Sequence, residues 1–293
     1  MNIKPKKSLG QNFLHDKNIS KKIVSALQIK SGDFVVEIGA GTGFLTEDLL
    51  SEDVHLLAYE IDQRAVSVLK EKFSGKQNIE IIYQDFLKVD LPEIVKKNGV
   101  DSIKVVGNLP YYILSQILFK ILENHKCISK AVIMLQKEVA QRLNAAQKTK
   151  DYGILTVAVN LIGNAKILFD VSPHCFFPQP EVTSSVVEIT FRNDTLSREK
   201  YIKIMELVRA SFSQRRKKLK NSLSSYINKY KETNANNEIA EETMISKENT
   251  STISKVESLA LSQGLDFFSK RAEELSPEDF LLLYDLFFPR NTC

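Results

Sequence analysis

Cysteine is scarce in this sequence, and it contains no long apolar run. The three cysteines, Cys127, Cys175 and Cys293, form neither a disulfide framework nor a paired metal-ligand spacing. We therefore expect a protein of a reducing compartment, the cytoplasm, without a bound metal. The first residues contain no apolar signal-peptide core, and the longest apolar stretch, 154–162, is short and interrupted by Asn160. The composition thus predicts a protein that is neither secreted nor membrane-spanning.

The charge is modest in total but clustered. The chain of 293 residues has 43% hydrophobic and 26% charged residues and a formal net charge of +4, which is typical of a globular protein with about two domains. Residues 1–30 contain seven lysines against one acid, and residues 198–220 contain nine Lys or Arg against two acids. Two basic clusters on a nearly neutral chain indicate a polyanionic partner. Two solvated helix faces are the alternative interpretation.

A glycine-rich loop follows the first strongly predicted strand, 34–38. The loop is Gly39-Ala40-Gly41-Thr42-Gly43, and a helical pattern comes next. Glycine allows positive φ and lets a ligand approach the backbone closely, so we predict that Gly39, Gly41 and Gly43 contact a cofactor. The spacing differs from the Gly-x-Gly-x-x-Gly of dinucleotide enzymes, and no phosphate-binding lysine follows the glycines as in a P-loop.

The next two predicted strands end in acidic residues. Strand 56–59 leads to Glu60, which lies 21 residues after Gly39, about where nucleotide-binding folds place a ribose-binding carboxylate. Strand 79–83 leads to Asp85, which can accept a hydrogen bond from an adenine amino group. Together with the glycine loop, these strand ends fit a cofactor that has an adenosine but no phosphate, S-adenosylmethionine. A βαβ scaffold without a ligand is the alternative.

The fourth predicted strand, 103–107, leads into Asn108-Leu109-Pro110-Tyr111. Ligands of open α/β sheets bind at such strand ends. The Asn108 side chain offers an acceptor and Tyr111 offers a stacking face, so together they could hold the edge and face of a base with an exocyclic amine. The motif has no Cys, His or Lys, which fits methyl transfer to an amine that loses its proton after the attack. An ordinary strand-to-helix turn is the alternative for these four residues alone.

A proline-rich loop, 172–180, contains the aromatic pair Phe176 and Phe177. A fifth strand, 131–135, precedes the loop, and the alternating segment 185–191 follows it and closes the sheet. One ring of the pair could supply the second face of a base sandwich, and we predict Phe176 for this role. Both rings could instead fill the core.

The strand signals stop after Arg192, which predicts a domain boundary there, with the predicted site in residues 1–192 and a helical domain over residues 193–293. A helix predicted from about 197 to 212 leads into a basic helical segment whose cations we expect to bind the polyanion: Arg215, Arg216, Lys217 and Lys218. Residues 231–258 lack aromatic residues, Gly and Pro, and are interpreted as a polar insertion, either a solvated helix or a mobile segment.

These motifs together resemble the small-subunit ribosomal RNA adenine dimethyltransferase family. The likeness covers nearly the whole chain and includes 10–14, 134–138, the Phe176 loop and 212–221. It implies a class I S-adenosylmethionine-dependent methyltransferase of α/β class, with a Rossmann-like, seven-stranded, mostly parallel sheet and a smaller all-helical C-terminal domain. It also implies that Gln11, Asn12 and Leu14 join Gly39, Glu60, Asp85 and Asn108 in the cofactor site, and that the helical domain binds RNA. The Asn108 side chain and a backbone carbonyl at Leu109 or Pro110 are then the expected acceptors for the N6 amine of the target adenine. Ala40 stands where the family often has Pro.

The resemblance implies transfer of methyl groups to N6 of two adjacent adenosines in the 3′-end hairpin of small-subunit ribosomal RNA. The expected partner is this RNA or the immature small subunit, and the protein is expected to be a monomer. A large-subunit ribosomal RNA adenine methyltransferase of the antibiotic-resistance type and a non-catalytic ribosome-assembly factor are the alternatives. A DNA adenine methyltransferase usually has Pro at the position of Leu109, and a cytosine-5 enzyme would need a nucleophilic cysteine.

Overall fold

The computed structural model describes residues 3–6, 9–192, 196–234 and 249–289. Its strands are β1 (Phe13–Leu14), β2 (Asp33–Ile38), β3 (Val54–Glu60), β4 (Ile79–Tyr83), β5 (Ile103–Asn108), β6 (Ile128–Gln136), β7 (Gly163–Val171), β8 (Phe176–Phe177) and β9 (Ser184–Phe191). Seven of them form one sheet in the order β4-β3-β2-β5-β6-β9-β7, and β1 pairs with β8. Strands β2 to β6 pair in parallel, while β9 is antiparallel to both of its neighbours. The predicted seven-stranded, mostly parallel sheet is confirmed.

The register of the sheet brings the predicted strand ends together. Ile38 pairs with Tyr59 on one side and with Gly107 on the other, and Glu60 pairs with Tyr83. The strands that meet here are apolar on both faces, because helices cover both sides of a parallel sheet. The residues that follow β2, β3, β4 and β5 therefore share one edge of the sheet.

Helices alternate with these strands: α1 (Lys17–Ala26), α2 (Phe44–Leu49), α3 (Gln63–Lys72), α4 (Leu91–Asn98), α5 (Leu114–Glu123) and α6 (Lys137–Leu143). Asp16 caps α1, because its Oδ1 accepts from the backbone N–H groups of Asn18 at 2.8 Å and Ile19 at 3.2 Å. The side-chain amides of Gln11 and Asn12 are thus left for other contacts.

The four side chains of the short β1–β8 ribbon lie on two faces, two on each. Leu14 pairs with Phe176 and Phe13 with Phe177. Residues directly opposite each other in an antiparallel pair point to the same face. Leu14 and Phe176 are buried in the core, whereas Phe13 is half-buried and Phe177 is exposed.

The described residues divide into two compact units, Met1–Gln141 with Ile162–Thr195 and Arg142–Leu161 with Leu196–Cys293. The main division falls within three residues of the boundary that the sequence predicted at 192. The segment Arg142–Leu161 differs from that prediction, because it belongs to the second unit although it lies between β6 and β7 in the chain.

The second unit is helical in its described parts, with α7 (Ile154–Asn160), α8 (Arg198–Phe212), α9 (Leu219–Asn234), α10 (Asn249–Ser262) and α11 (Pro277–Phe287). Two buried tyrosines connect α7 and its flank to the later helices. The Tyr152 hydroxyl donates to the Leu275 carbonyl at 2.6 Å, and the Tyr201 hydroxyl donates to the Ala158 carbonyl at 3.2 Å. These bonds explain why Arg142–Leu161 packs with the later helices.

The basic segment of the second unit differs from what the sequence predicts. The sequence predicts a helical basic segment, but α8 ends at Phe212 and α9 begins at Leu219, so its four cations lie in the connecting turn. Of the predicted polar insertion, residues 231–234 and 249–258 are helical, and 235–248 lie outside the described residues. No helix in the described ranges combines the length and apolar character that crossing a membrane requires.

Candidate active site

An open cavity lies at the carboxyl ends of β2, β3, β4 and β5. It is lined by residues of the four loops that follow these strands, by residues 9–14 and by parts of α2 and α5. Most of the predicted cofactor and catalytic residues line it: Gln11, Asn12, Leu14, Gly39, Gly41, Glu60, Asp85, Asn108, Leu109, Pro110 and Tyr111. Gly43 and Phe176 do not. All of these residues belong to the first unit.

The glycine loop has two functions, one toward the cavity and one toward the core. Gly39 and Gly41 line the cavity and have φ values of 73° and 56°, a region that favours glycine. Gly43 also has a positive φ, but a Cβ there would lie 2.7 Å from Leu69 Cδ2 and 2.8 Å from Phe73 Cε2. Gly43 is therefore required for packing against α3, and its position does not fit the predicted cofactor contact.

Glu60 ends β3 with a buried carboxylate that backbone N–H groups hold in place. Its Oε2 accepts from Gly41 at 2.8 Å, and its Oε1 accepts from Ile61 at 2.8 Å and from Asp62 at 2.9 Å. A carboxylate has about four acceptor positions, so one position on Oε2 remains for a ligand hydroxyl. Burial raises the pKa of Glu60, and the three N–H donors oppose that shift.

Asp85 and Phe86 follow β4. Asp85 Oδ1 accepts from the Leu87 N–H at 2.9 Å, which fixes the carboxylate at the start of a short 3-10 helix, Phe86–Lys88, and leaves Oδ2 for a ligand. The Phe86 ring is buried and packs edge-to-face on Tyr59 at a centroid distance of 6.0 Å. Both rings line the cavity beside Asp85, so a flat group can lie between aromatic and acidic surfaces.

The Asn108 side chain has a defined orientation. Its Nδ2 donates to the backbone carbonyl of Asn12 at 2.8 Å. This bond assigns the amide rotamer and leaves Oδ1 as an acceptor without a donor among the described residues. The segment that contains Asn12 thus fixes which end of the Asn108 amide is available for a ligand.

The backbone after Asn108 presents one further acceptor. The Leu109 N–H donates to the Met134 carbonyl at 3.1 Å, and the Pro110 carbonyl accepts from the Ile113 N–H at 3.3 Å. Among the described residues no donor reaches the Leu109 carbonyl. Of the two carbonyls that the sequence left open, the one at Leu109 is therefore available.

Tyr111 and Tyr112 follow on a 3-10 turn, Tyr111–Ile113. The Tyr111 hydroxyl is 3.1 Å from Ser184 Oγ, which holds the half-buried ring at the cavity, and burial raises its pKa. The Tyr112 ring is 51% exposed and lies against Gly10. Burial, and then the negative charges of Asp85 and Glu60, raise the pKa of Tyr112.

The N-terminal segment is attached to the cavity by side-chain amides. Gln11 Nε2 donates to Asp62 Oδ2 at 3.1 Å, and Asn12 Nδ2 donates to the Gly10 carbonyl at 3.3 Å. Asp62 also binds Arg64, and this cation is the main reason that the pKa of Asp62 falls to about 2. Gln11 and Asn12 thus line the cavity through contacts that no local sequence pattern could predict.

Glu37 is a lining residue to which the sequence assigned no function. Its side chain is 1% exposed, and its Oε2 accepts from Thr46 Oγ1 at 2.7 Å. Burial raises the pKa of Glu37 to about 7, the Thr46 bond lowers it, and the negative charge of Glu60 raises it further. The sequence does contain a signal for Glu37: it is an acid in a mostly apolar strand, just before the glycine loop.

Phe176 does not occupy the position predicted for it. Its ring is 2% exposed and belongs to the same core cluster as Leu14 and Met134. Phe176 is not among the residues that line the cavity. The pairing of β8 with β1 is the physical reason, because it turns Phe176 inward and Phe177 outward.

The four predicted RNA-binding cations differ in their surroundings. Arg215 donates to Glu273 at 2.9 Å and to the backbone carbonyls of Thr149, Lys150 and Tyr152 at 3.1, 2.7 and 2.9 Å. Its guanidinium therefore holds a loop within the second unit. All four residues are exposed, so Arg215 differs from Arg216, Lys217 and Lys218 in these contacts and not in its exposure.

The charge of the cavity indicates which cofactor fits it. Glu37, Glu60 and Asp85 line it, and none of the described lining residues is Lys, Arg or His. A pyrophosphate would find no cation there, whereas a ligand with an adenosine and positive groups finds acceptors. Gly39 and Gly41 add no side chains to this part of the lining. The residues therefore fit S-adenosylmethionine.

The fold and the cavity define the class: this is a class I methyltransferase that uses S-adenosylmethionine. A profile of the family described as ribosomal RNA adenine dimethylase matches residues 2–260. The chain is 43% identical over 226 residues to ribosomal RNA small subunit methyltransferase A of Halothermothrix orenii, covering 76% of this chain and 75% of that protein. It is 45% identical over 224 residues to the protein of the same name from Syntrophus aciditrophicus, covering 76% and 80%.

Solved structures agree. A dimethyladenosine transferase from Plasmodium falciparum superposes with a TM-score of 0.73 at 28% identity, covering 92% of this chain and 95% of that one. The 23S rRNA methyltransferase ErmE superposes with a TM-score of 0.62 at 25% identity, covering 94% and 99%. The chain belongs to the ribosomal RNA adenine dimethylase family, and it is an enzyme.

Proposed function

We propose that this enzyme transfers methyl groups from S-adenosylmethionine to N6 of two adjacent adenosines in the 3′-end hairpin of small-subunit ribosomal RNA, giving N6,N6-dimethyladenosine during small-subunit biogenesis. The observation that carries this proposal is the Asn108 amide, whose nitrogen is bound to Asn12 and whose oxygen is available. The names of the relatives support the small subunit as the source of the RNA.

The cofactor's adenosine is assigned to the acidic strand ends. Glu60 has one acceptor position left for a ribose hydroxyl, and Asp85 Oδ2 accepts from the adenine amine beside Phe86. When bound, S-adenosylmethionine supplies an electrophilic methyl group on its sulfonium sulfur. Gly39 and Gly41 admit the ligand close to the backbone at the end of β2.

Asn108 and Leu109 are assigned to the target amine. An adenine N6 is a weak nucleophile because its lone pair is delocalised into the ring. Asn108 Oδ1 and the Leu109 carbonyl accept hydrogen bonds from the two N6–H groups, favour a pyramidal nitrogen and direct its lone pair toward the position of the methyl group. With S-adenosylmethionine bound, the amine would take the methyl group and the sulfur would leave as the neutral thioether of S-adenosylhomocysteine; these residues contribute mainly by orientation.

The methylated nitrogen carries a positive charge and loses a proton to water after the transfer. No strong base is needed before attack, which agrees with a lining that contains no Cys, His or Lys among the described residues. Tyr111 stacks on the target base, and its bond to Ser184 holds the ring ready. Such a contact contributes about 1–3 kcal/mol and offsets the cost of unstacking the base.

The RNA is assigned to the exposed cations Arg216, Lys217 and Lys218 in addition to the cavity. We place the enzyme in the cytoplasm, where small subunits are assembled, and expect a monomer that acts on the RNA or on an immature particle. The superposition with ErmE keeps a large-subunit target as the second candidate. A purely non-catalytic assembly function does not explain the available acceptors at Asn108 and Leu109.

The test is methylation of purified small-subunit RNA, of immature small subunits and of large-subunit RNA, with nucleosides identified by mass spectrometry. Asn108→Ala should lower methyl transfer at least about 100-fold while leaving the Kd for S-adenosylmethionine nearly unchanged. Asn98→Ala, which removes an exposed asparagine at the end of α4, is the matched control and should retain full activity. Normal transfer by Asn108→Ala would refute the acceptor mechanism, and transfer to large-subunit RNA alone would select the second candidate.

A further inference from the structure

Phe177 is the most exposed large apolar side chain in the described ranges, with 65% of its surface accessible. An exposed apolar side chain needs no explanation by itself. The evidence for a function of Phe177 is therefore its location relative to the cavity.

The β1–β8 ribbon places Phe177 beside a residue that lines the cavity. Phe177 is the cross-strand partner of Phe13, and such partners have Cβ atoms about 4.5–5.5 Å apart on one face of the ribbon. Phe13 lines the cavity, and its Cδ1 lies 3.1 Å from where a Cβ on Gly41 would be. Phe177 thus lies next to the cavity lining, with its ring in solvent.

The loop that carries Phe177 is fastened on both sides. The His15 N–H donates to the Cys175 carbonyl at 3.0 Å, and this bond continues the β1–β8 pairing. On the other side, Gln179 Nε2 and His174 Nδ1 lie 2.9 Å apart. The backbone under the exposed ring is therefore held before any substrate arrives, so ordering the ring costs little.

We propose that Phe177 stacks on a nucleobase adjacent to the target adenosine and so holds the RNA strand at the cavity mouth. This inference rests on the proposed function, because it requires a single-stranded RNA substrate. When the target base leaves its stack to enter the cavity, the neighbouring base loses a stacking partner. An aromatic ring replaces that partner whatever the base is, since every base has a π-face. The β1–β8 pairing makes Phe177 available for this contact, because it leaves the Phe177 ring in solvent beside Phe13.

The experiment measures RNA affinity and steady-state kinetics with a small-subunit hairpin RNA that carries 2-aminopurine beside the target adenosine. Phe177→Ala should raise the KM for RNA at least about fivefold and relieve quenching of 2-aminopurine fluorescence. The Kd for S-adenosylmethionine should not change. Phe177→Tyr should restore both readouts, and Phe177→Leu, which is apolar without a π-face, should restore neither fully. Ile167→Ala on the edge strand β7 is the matched control.

The outcomes separate the two proposals. If the wild type methylates neither this RNA nor immature small subunits, the proposed function fails. If the wild type is active and Phe177→Ala has a normal KM and normal quenching, the stacking inference alone is wrong. A loss that Phe177→Tyr does not restore would also overturn it, because the ring itself would then not be the cause.

Discussion

Substituting Glu37 should change how the stability of the protein depends on pH. Glu37 lies on β2 with its side chain almost fully buried, and burial raises its pKa from 4.5 to about 7. In the unfolded chain the same carboxyl has its ordinary pKa. Between about pH 4.5 and pH 7 the folded state therefore binds a proton that the unfolded state has released.

The sign and size of the effect follow from that difference. Where the folded state binds more protons, the free energy of unfolding falls as pH rises. The fall begins near the unfolded pKa, ends near pH 7, and amounts to about 3 kcal/mol at about 1.4 kcal/mol per pH unit. Glu37→Gln has no proton to lose and keeps an acceptor for Thr46. Its free energy of unfolding relative to wild type should therefore increase by about 3 kcal/mol between pH 4.5 and pH 7.5.

The assay is urea unfolding of the cofactor-free protein, followed by far-UV circular dichroism at several pH values. Taking the difference between variant and wild type removes the contributions of other titrating groups. Glu80→Gln changes an exposed glutamate on β4 and serves as the control, with a small difference at every pH. A difference for Glu37→Gln that does not vary with pH would show that burial does not retain the proton, and the reasoning would be refuted.

Two further predictions concern residues whose functions the structure separates. Gly43→Ala should destabilise the protein by at least about 1–2 kcal/mol, because φ is positive and the new Cβ would press on α3. Thermal unfolding measures this loss, and an unchanged Tm would contradict the prediction. Replacing Arg216, Lys217 and Lys218 by Ala should weaken RNA binding and reduce the slope of log K against log salt by up to about 2, whereas Arg215→Ala should mainly destabilise the second unit. Equal salt slopes in all variants would place the RNA surface elsewhere.

The strand ends could be predicted from sequence because the signals there are local. Each apolar run is followed at once by its polar residue, and the carboxyl ends of parallel strands share an edge. Glu60, Asp85 and Asn108 were expected at one site for this reason, and the structure places all three on one cavity. The family resemblance added Asn12, which no local pattern could place there.

The remaining features depend on contacts between distant segments. Which of Phe176 and Phe177 faces solvent is decided by pairing with β1, more than 160 residues earlier in the chain. In the sequence Arg215 is one of four adjacent cations, and only its contacts with residues 149–152 distinguish it from the other three. The packing function of Gly43 also depends on distant residues, because a Cβ there would meet the side chains of Leu69 and Phe73.

Primer extension across the small-subunit 3′ hairpin tests the central claim most directly, because N6,N6-dimethyladenosine cannot pair normally and stops reverse transcription. We predict two adjacent stops in cells that carry this gene. Both should be absent when the gene is deleted, and they should return with the wild-type gene but not with Asn108→Ala. Stops that persist after deletion, or that Asn108→Ala restores in full, would contradict the account.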